Sequence, residues 1–436
     1  VIGCGYLGAV HAASMAELGH DVVGVDVDAH KVELLSNGRA PFFEPELEDL
    51  LARNVDAGRL TFTQDFSAIE GAQIHFIGVG TPQSESGAAD MTYVDAAVSS
   101  MLPHLGYCTS GPEVVAGKST VPVGTASRLA QAIEPTGALL VWNPEFLREG
   151  FAVQDTLRPD RMVYGLPADP GAATKAQEAM DTVYEQILIS GTPRLLMDYA
   201  TAELVKISAN AFLATKISFI NAMSQVCDAA GANVTALAEA IGMDDRIGRR
   251  FLRAGIGFGG GCLPKDIRAF QARADELGVG DALTFLAEVD KVNDTMRAGV
   301  IRTVRGLLGD RLAGATVTVL GAAFKPDSDD MRNSPALDLA VELAHLAKRV
   351  VVHDPAAGPI LAERSNRPYE VALSAHSALE GTDLVLIGTE WREYRDLDPA
   401  QAADLVRTRY VIDGRNCLDA QAWKAAGWSY RGIGRR

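Results

Sequence analysis

The sequence VIGCGYLG at residues 1–8 opens the part of the chain that best predicts its fold. It is followed by a helix-length segment at residues 9–18 and by DVVGVD at residues 21–26. Three glycines spaced G-x-G-x-x-G between an apolar strand and a helix predict the turn of a dinucleotide-binding βαβ unit. A plain tight turn is the alternative, because so short a motif also arises by chance.

The alternation of strands and helices continues along the chain. Strands are predicted at residues 74–79, 113–118, 138–142, 316–320, 350–353, 383–388 and 410–413, and helices at residues 197–230, 281–308 and 334–346. The pattern predicts an α/β protein in which a long central helix and a helical middle region join two Rossmann-like, doubly wound parallel-sheet domains. The predicted domains are residues 1–195, 196–300 and 301–436.

The net charge and the cysteine content exclude several classes of partner and site. The formal net charge of −16 disfavours nucleic acid and anionic membrane surfaces as partners, and no apolar run reaches the 18 residues of a spanning helix. The five cysteines are odd in number and scattered, without Cys-x-x-Cys spacing, so neither a disulfide framework nor a metal site is expected. A reducing, cytoplasmic location is therefore predicted.

Asp26 sharpens the prediction of a dinucleotide site. It stands 18 residues beyond Gly8, at the end of the second strand, where a carboxylate can accept hydrogen bonds from the adenosine ribose. A carboxylate there disfavours a 2′-phosphate, so NAD is predicted rather than NADP. A solvated strand-end Asp is the alternative, and Lys31 is either a surface charge or a partner of a cofactor phosphate.

Two short segments, GTP at residues 80–82 and STVP at residues 119–122, follow predicted strands. Ligands bind at the carboxyl edge of such sheets, which makes Thr81, Ser119 and Thr120 candidates for ligand contacts. The same residue types also serve ordinary turns.

Cys262 lies in the glycine-rich segment GIGFGGGCLPKD, residues 255–266. A helical turn beginning near it would place the thiol and the Asp266 carboxylate on one side, with Lys265 close by. A thiol beside a cation and a helix start ionises more easily, as a nucleophile must. The alternative is a small buried hydrophobic residue next to a flexible loop.

Lys206 and Asn210 are four residues apart in the long predicted helix. This spacing places an ammonium and an amide on one face, where they could bind a hydroxyl or a developing oxyanion. A lysine that extends along an apolar helix to reach solvent is the alternative.

Further charged residues follow predicted strands. The segment NPEFLREG, residues 143–150, carries Glu145 and Glu149, which could act as a general base or contact a substrate. Cations that could hold phosphates are Lys325 and Arg332 in GAAFKPDSDDMR, residues 321–332, and Arg415 in IDGRN, residues 412–416. Solvated surface charges would give the same pattern.

Together these segments resemble the UDP-glucose/GDP-mannose dehydrogenase family, and most closely its branch that oxidises UDP-glucose, from Val1 to about Leu418. The motifs that carry the resemblance are GCGYLG, FFEPELEDLL, STVPVGT, NPEFLREG, ELVKISANAF, GFGGGCLPKD, GAAFKPDSDDMRNSP and IDGRN. Several long motifs in one order are far more specific than the glycine motif alone.

The resemblance implies two successive oxidations that convert UDP-glucose to UDP-glucuronate, each passing a hydride to NAD. Cys262 would hold the aldehyde as a thiohemiacetal and then a thioester, which water cleaves. Lys206 and Asn210 would stabilise oxyanions, Asp266 would orient or activate water, and Thr120 and Glu145 would complete the proton transfers.

The resemblance also implies the ligand contacts and a homodimer built on the long helix, or a higher homo-oligomer. NAD would contact Gly3, Gly5, Gly8, Asp26, Lys31, Thr81, Ser119, Thr120, Glu149, Lys265 and Arg332. The UDP-sugar would contact Glu145, Phe146, Leu147, Glu149, Lys206, Asn210, Phe251, Gly259, Phe324, Lys325 and Arg415, and Arg246 would reach the site of a neighbouring subunit.

Gly261 departs from the family pattern, because many relatives have serine before the cysteine. The CLPKD form is shared by enzymes that oxidise UDP-glucose, GDP-mannose and UDP-acetamidosugars, so GDP-mannose and a UDP-N-acetylhexosamine remain possible substrates. A single-step hydroxyacid or acyl-CoA dehydrogenase and a nucleotide-sugar sensor would each share part of the pattern. A sensor would be expected to have lost Cys262, Lys206 or Asp266, all of which are present.

Overall fold

The computed structural model describes residues 1–435 and divides the chain into two compact units. The first consists of Val1–Ala209 with Arg268–Gly280, and the second of Asn210–Ile267 with the described chain from Asp281 onward. Each unit contains one Rossmann-like sheet.

The sheet of the first unit is built around Ile2, which forms single parallel bridges to Val25 and Ile77. With Ile2 as the first strand position, the order is β2-β1-Ile2-β3-β4-β5-β6-β7, parallel except where β5 meets β6. The first six positions follow the 3-2-1-4-5-6 order of a doubly wound dinucleotide-binding sheet. The strands are β1 (Val22–Val25), β2 (Leu60–Thr63), β3 (Ile74–Ile77), β4 (Val114–Gly117), β5 (Leu139–Trp142), β6 (Met162–Leu166) and β7 (Arg194–Asp198).

Alternating side chains of the central strands enter two apolar cores, one on each face of this sheet. Val115 and Leu140 belong to one core, and Val114 and Val141 belong to the other. Burial on both faces explains why these strands are apolar throughout. The helices that begin in this unit are α1 (Tyr6–Glu17), α2 (Ala29–Ser36), α3 (Leu47–Asp56), α4 (Thr92–Met101), α5 (Thr125–Ile133), α6 (Ala152–Leu157), α7 (Pro170–Val183), α8 (Glu185–Ile189) and α9 (Tyr199–Ala230).

The helical middle region contains the long helix that the sequence predicts. Helix α9 has 32 residues and begins two positions after the predicted start at residue 197. The remaining helices of this region are α10 (Val234–Gly242), α11 (Leu263–Glu276) and α12 (Thr284–Leu308).

The sheet of the second unit has the order β10-β9-β8-β11-β12-β13, and all of its strands are parallel. This is again the 3-2-1-4-5-6 order, so the prediction of two doubly wound Rossmann-like sheets and a long central helix is confirmed. The strands are β8 (Thr316–Leu320), β9 (Arg349–His353), β10 (Glu370–Val371), β11 (Leu384–Ile387), β12 (Tyr410–Asp413) and β13 (Ser429–Gly432). The helices are α13 (Pro335–Ala344), α14 (Ala357–Glu363), α15 (Ala375–Leu379), α16 (Arg392–Arg395), α17 (Pro399–Leu405) and α18 (Ala420–Ala425).

Two secondary-structure elements cross the predicted domain boundaries. Strand β7 runs past residue 195 to Asp198 because it pairs with β6 along its whole length, and α12 continues through residues 300 and 301 to Leu308. The division into three domains stays a prediction. None of the helices described above combines the length and the apolar character required to cross a membrane.

Candidate active site

The glycine turn of the first unit has the shape that a pyrophosphate needs. Gly3 has a φ of +82°, and a Cβ there would lie 2.5 Å from Val79 Cγ1. A Cβ on Gly8 would overlap the Gly3 carbonyl oxygen, whereas a Cβ on Gly5 would have nothing within 4 Å. The first and third glycines therefore permit the turn and its packing, and the second leaves the backbone open at the start of α1.

Asp26 is held beside this turn by the main chain. One carboxylate oxygen accepts a hydrogen bond from the Cys4 N–H at 2.7 Å, and the other accepts one from the Asp28 N–H at 2.9 Å. Lys31 lies in the first turn of α2, with its ammonium 3.7 Å from the Asp28 carboxylate. A carboxylate fixed at a strand end, next to an open glycine turn, fits the ribose and pyrophosphate of a dinucleotide.

Hydroxyl groups tie together the carboxyl ends of β3 and β4. The Thr81 hydroxyl donates to the Thr120 carbonyl oxygen at 2.8 Å, and the Ser119 hydroxyl donates to the Val79 carbonyl oxygen at 2.6 Å. Thr81 and Ser119 are buried, whereas Thr120 is half-buried. The three predicted residues thus lie together at one edge of the sheet.

The segment NPEFLREG, residues 143–150, follows β5 and brings four candidate residues together. Glu145 Oε1 accepts hydrogen bonds from the Phe146 N–H at 2.7 Å and the Leu147 N–H at 3.1 Å. The Lys206 ammonium lies 5.4 Å from the centroid of the Phe146 ring, within the range of a cation–π contact. The first unit therefore places Lys206 next to the segment that carries Glu145.

Sequence reasoning missed Lys118, the charged partner of Glu145. The Lys118 ammonium lies 3.2 Å from Glu145 Oε2 and donates a hydrogen bond to Asn143 Oδ1 at 3.0 Å. A lysine that ends an otherwise apolar strand, as in VVAGK at residues 114–118, is the signal that could have identified it.

Glu44 was also missed, although its motif FFEPELEDLL carries part of the family resemblance. Its carboxylate accepts hydrogen bonds from the Gly150 N–H at 2.6 Å, the Ala152 N–H at 2.7 Å and the Tyr6 hydroxyl. Burial raises the pKa of Tyr6, and the carboxylates of Glu44 and Glu149 raise it further. Glu44 therefore links the glycine turn to the segment that carries Glu145 and Glu149.

Cys262 directly precedes α11 in the second unit, and the residue is exposed. Its carbonyl oxygen accepts the hydrogen bond that the Asp266 N–H donates at 2.9 Å. The helical turn predicted between the cysteine and the carboxylate is therefore confirmed.

Asp266 is buried and held from two sides. Its Oδ2 accepts a hydrogen bond from Asn210 Nδ2 at 2.6 Å, and its Oδ1 lies 2.6 Å from the Lys265 ammonium. Asn210 lies on α9, one helical turn after Lys206, as its spacing predicts. The second unit thus brings Cys262, Asn210, Lys265 and Asp266 into one group.

The glycine-rich loop before Cys262 packs tightly against two other candidates. A Cβ on Gly261 would overlap the Arg332 guanidinium, and a Cβ on Gly260 would lie 2.9 Å from Phe324 Cζ. The Gly260 N–H also donates to the Arg332 carbonyl oxygen at 2.8 Å. The absence of a side chain at Gly261 therefore makes room for the Arg332 side chain.

Arg415 connects this loop to the ends of the strands in the second sheet. Its guanidinium donates hydrogen bonds to the carbonyl oxygens of Gly388 at 2.8 Å, Gly257 at 2.7 Å and Phe324 at 3.4 Å. Burial lowers the pKa of Arg415, and the Glu390 carboxylate at 3.6 Å opposes that shift. At least one hydrogen bond of the Arg415 guanidinium, the one to Gly257, therefore stabilises the glycine-rich loop.

The remaining substrate candidates have separate surroundings in the second unit. The Lys325 ammonium lies 5.2 Å from the centroid of the Phe324 ring, and Gly259 packs against the main chain of Asn333. Phe251 has a φ of +64° and is exposed. Arg246 is also exposed, and its guanidinium pairs with Asp244.

The fold and the first-unit site define a dinucleotide-binding α/β protein. Residues 1–188 match the NAD binding domain of the UDP-glucose/GDP-mannose dehydrogenase family, residues 200–295 match its central domain, and residues 318–420 match its UDP binding domain. The chain belongs to this family. It is an NAD-dependent dehydrogenase, as the family resemblance implies, and the glycine turn and Asp26 had predicted the cofactor.

Similar proteins cover the whole chain. The UDP-glucose 6-dehydrogenase TuaD of Bacillus subtilis is 40% identical over 100% of this chain and 92% of its own length. A UDP-glucose dehydrogenase structure from Pyrobaculum islandicum has a TM-score of 0.88 at 36% identity and covers 100% of this chain and 97% of its own. A UDP-D-ManNAc dehydrogenase structure from Pyrococcus horikoshii has a TM-score of 0.84 at 26% identity, with coverage of 100% and 98%. These matches support neither a hydroxyacid dehydrogenase nor a sensor.

Proposed function

We propose that this enzyme oxidises UDP-glucose to UDP-glucuronate in two steps and that Cys262 is its covalent catalyst. The observation that carries the proposal is the group at the start of α11. There an exposed cysteine is followed, one turn later, by the buried Asp266 carboxylate, which Asn210 and Lys265 hold in place. A nucleophile close to a fixed acid–base group is what covalent catalysis at a carbonyl requires.

The proposed chemistry proceeds through four steps. A base takes a proton from the primary alcohol of the sugar, and the alcohol carbon gives up a hydride, which leaves an aldehyde. The Cys262 sulfur adds to the aldehyde carbon, and the thiol proton moves to the oxygen, which gives a thiohemiacetal. Loss of a second proton and hydride produces a thioester, and water cleaves it to the carboxylate and the free thiol. NAD, when bound, accepts the hydride in each oxidation.

The proposed catalytic roles follow from the side-chain chemistry. The Lys206 ammonium and the Asn210 amide stabilise negative charge on the reacting oxygen, because both are hydrogen-bond donors. Asp266 orients or activates the water that cleaves the thioester, while Thr120 and Glu145 take part in proton transfer. The hydrogen bond between Asn210 and Asp266 supports this assignment, because it positions two of the groups together.

The proposed cofactor contacts include residues of both units. Within the first unit, the open backbone at Gly5 and the fixed Asp26 carboxylate are the strongest supports. The proposed NAD contacts are Gly3, Gly5, Gly8, Asp26, Lys31, Thr81, Ser119, Thr120, Glu149, Lys265 and Arg332.

UDP-glucose is proposed as the sugar because relatives about 40% identical over the full chain carry that substrate in their names. The proposed contacts to it are Glu145, Phe146, Leu147, Glu149, Lys206, Asn210, Arg246, Phe251, Gly259, Phe324, Lys325 and Arg415. The domain matched by residues 318–420 is described as a UDP binding domain, which supports a UDP-sugar as the substrate.

We also propose that the enzyme is a homodimer built on α9. Phe212, Phe219 and Val226 are 66%, 49% and 56% exposed, and they recur every seven residues along this helix. Apolar side chains at this spacing form one stripe, which another copy of the helix could bury. Sedimentation of the Phe212→Asp/Phe219→Asp variant tests this: the proposal requires monomers where the wild type is dimeric.

The substrate is tested by supplying the purified enzyme with NAD and a panel of nucleotide sugars. UDP-glucose, GDP-mannose, UDP-N-acetylglucosamine and UDP-N-acetylmannosamine are compared by kcat/KM and by the NADH formed for each sugar consumed. The proposal requires UDP-glucose to have the highest kcat/KM and a yield of two NADH. A yield of one, or a higher kcat/KM with another sugar, would contradict it.

Cysteine variants test the covalent step. Cys262→Ala should form no uronate, whereas Cys108→Ala, which changes a half-buried cysteine outside the proposed site, should retain full turnover. Cys262→Ser should accumulate an ester that hydrolyses slowly and is visible by mass spectrometry. Full turnover by Cys262→Ala would rule out the thioester route.

A further inference from the structure

Lys118 is a charged side chain in the interior of the first unit. It directly follows β4, and its side chain is 3% exposed. The rings of Phe76 and Tyr184 lie with their centroids 5.7 and 5.9 Å from the ammonium. A buried ammonium is costly unless its hydrogen bonds are satisfied and its charge is balanced. A lysine in this position therefore calls for a specific partner.

Three acceptors surround the ammonium. They are Glu145 Oε2 at 3.2 Å, Asn143 Oδ1 at 3.0 Å and the Tyr184 hydroxyl oxygen at 3.4 Å. Because Asn143 Nδ2 donates to the Val163 carbonyl oxygen at 3.0 Å, the Asn143 amide oxygen is turned toward Lys118. Three donors of an ammonium and three acceptors thus match in number.

Glu145 is held on both carboxylate oxygens. Oε2 lies at the ammonium, and Oε1 accepts the hydrogen bonds from the N–H groups of Phe146 and Leu147. The Glu145 side chain remains 14% exposed, whereas the Lys118 side chain is almost fully enclosed. The carboxylate can therefore meet a ligand or water, while the lysine is shielded behind it.

The other titratable groups that face Lys118 are neutral near pH 7. Burial and the Glu145 charge raise the pKa of Tyr184, at the end of α7, well above its ordinary value. Burial and the Lys118 charge lower the pKa of His11, on α1, well below its ordinary value. The negative charge that balances Lys118 is thus the one on Glu145.

We propose that Lys118 is a positioning residue that, through its ion pair, holds the Glu145 carboxylate in one orientation for proton transfer. The inference rests on the proposed role of Glu145 in the oxidation of UDP-glucose. Lys118 acts through Glu145 and touches neither the sugar nor NAD. A positioned general base contributes about 10²–10⁴-fold to a rate, and only part of that contribution depends on its orientation and charge.

The test compares Lys118→Met with the wild type in the complete enzyme. The variant should lose about tenfold to a hundredfold in kcat, a part of the contribution of a general base, while both KM values change by less than about threefold. Tyr184→Phe is the matched control, because it removes one acceptor of Lys118 and one donor to Asn143 Oδ1 but keeps the pair of Lys118 and Glu145. It should stay within about twofold of the wild type in kcat.

A double-mutant cycle separates a role through Glu145 from a general structural role. Glu145→Gln should lower kcat, and adding Lys118→Met to it should cause little further loss, because the two residues act as one unit. An equal loss from Lys118→Met in both backgrounds would overturn the proposal, as would a wild-type kcat for Lys118→Met.

A substitute variant and one result of the cycle separate the possible causes of a failed test. If Lys118→Met does not fold, as judged by circular dichroism, Lys118→Gln takes its place, because glutamine can donate a hydrogen bond to Glu145 without supplying the charge. The same kcat loss, with little change in either KM, is then required. Full activity of Glu145→Gln would instead refute the proposed role of Glu145, a result that the cycle distinguishes from failure of Lys118 alone.

Discussion

The two Rossmann-like sheets share one strand order, but the carboxylates at the ends of their second strands have different surroundings. Asp26, after β1, accepts two backbone N–H groups. Asp354, after β9, accepts four backbone N–H groups at 2.7 to 3.0 Å and the indole N–H of Trp391 at 3.1 Å. A carboxylate has about four lone-pair sites, so Asp354 is saturated by its own domain, whereas Asp26 retains capacity for a ligand.

The turns that follow the first strand position of each sheet also differ, because only the turn in the first unit leads directly into a helix. Gly3 and Gly321 both have a positive φ, at +82° and +110°. Helix α1 begins at Tyr6, directly after the first turn, whereas α13 begins only at Pro335, where Ser334 caps it. The intervening segment of the second sheet carries Arg332 and packs against the glycine loop before the cysteine. One strand order thus accommodates a cofactor turn in one sheet and a segment that builds a site in the other, so strand order alone does not define the ligand.

Removal of the two strand-end carboxylates should give the largest contrast. Asp354→Ala should lower the free energy of unfolding by about 3–5 kcal/mol, because it leaves five buried donors without their acceptor. Asp26→Ala should cost about 1–3 kcal/mol and raise the KM for NAD by at least about tenfold, since it leaves two donors without an acceptor and removes the proposed partner of the ribose. Urea unfolding monitored by tryptophan fluorescence and NAD kinetics measure both effects. A larger stability loss from Asp26→Ala would reverse the comparison.

Gly5→Val should separate the open turn from the rest of the fold. The new side chain would occupy open space beside α1, so the KM for NAD should rise about tenfold or more while the thermal midpoint falls by only a few degrees. Gly314→Val, at a position of the second unit that is equally open, is the matched control and should leave the KM for NAD unchanged. If both substitutions raised the KM for NAD equally, the open turn at Gly5 would have no specific role in binding NAD.

The first unit should lose stability in mild acid through His11. Both ring nitrogens of this buried histidine lack a hydrogen-bond partner within residues 1–435, and burial holds its pKa well below the ordinary value. Below about pH 6.5 the unfolded chain takes up a proton that the folded chain does not, so stability falls by up to about 1.4 kcal/mol per pH unit.

The variant His11→Phe should remove part of this acid sensitivity, because phenylalanine takes up no proton. Phenylalanine can also keep the ring contact with Phe76. Thermal midpoints at pH 7.5 and 5.5 measure the difference. The control is His376→Phe, which replaces an exposed histidine of the second unit and should leave the pH dependence as in the wild type. An unchanged acid loss in His11→Phe would show that other groups cause it.

The smallest expected effect is that of Lys31→Ala. Its ion pair with Asp28 is solvent-exposed, so the free energy of unfolding should change by less than about 0.5 kcal/mol. The KM for NAD should nevertheless rise about two- to fivefold if the ammonium meets a cofactor phosphate. Lys348→Ala, in the second unit, should change neither quantity. An unchanged KM in Lys31→Ala would assign Lys31 to the surface.

The secondary structure that the sequence predicts best lies where both faces of a strand are buried. The predicted strands at residues 316–320 and 410–413 have the same bounds in the structure. Strands β2, β6, β7, β10 and β13 were not predicted. Strand β2 alternates between buried and less buried positions, β7 is largely exposed, and β10 has only two residues, so none of these three shows the continuous apolar run of a central strand. Strand β6 is buried and was missed all the same. The predicted strand at Val1 and Ile2 is reduced to the single bridges of Ile2, because the turn at Gly3 follows at once.

Local spacing determined the parts of the candidate site that depend on one helix or one turn. The sequence by itself indicates the glycine turn, the strand-end Asp26, the helical turn from Cys262 to Asp266 and the pairing of Lys206 with Asn210. Each of these relations spans few residues or one βαβ unit, and backbone geometry repeats with a fixed period over such distances.

The contacts that join distant segments follow from packing in the folded chain. Asn210 and Asp266 are 56 residues apart in the chain, and Lys118 and Asn143 are 25 residues apart. The saturation of Asp354 likewise depends on a tryptophan from another part of its domain. Whether a buried polar group is already satisfied depends on what packing brings next to it, and periodicity in the sequence carries no information on that.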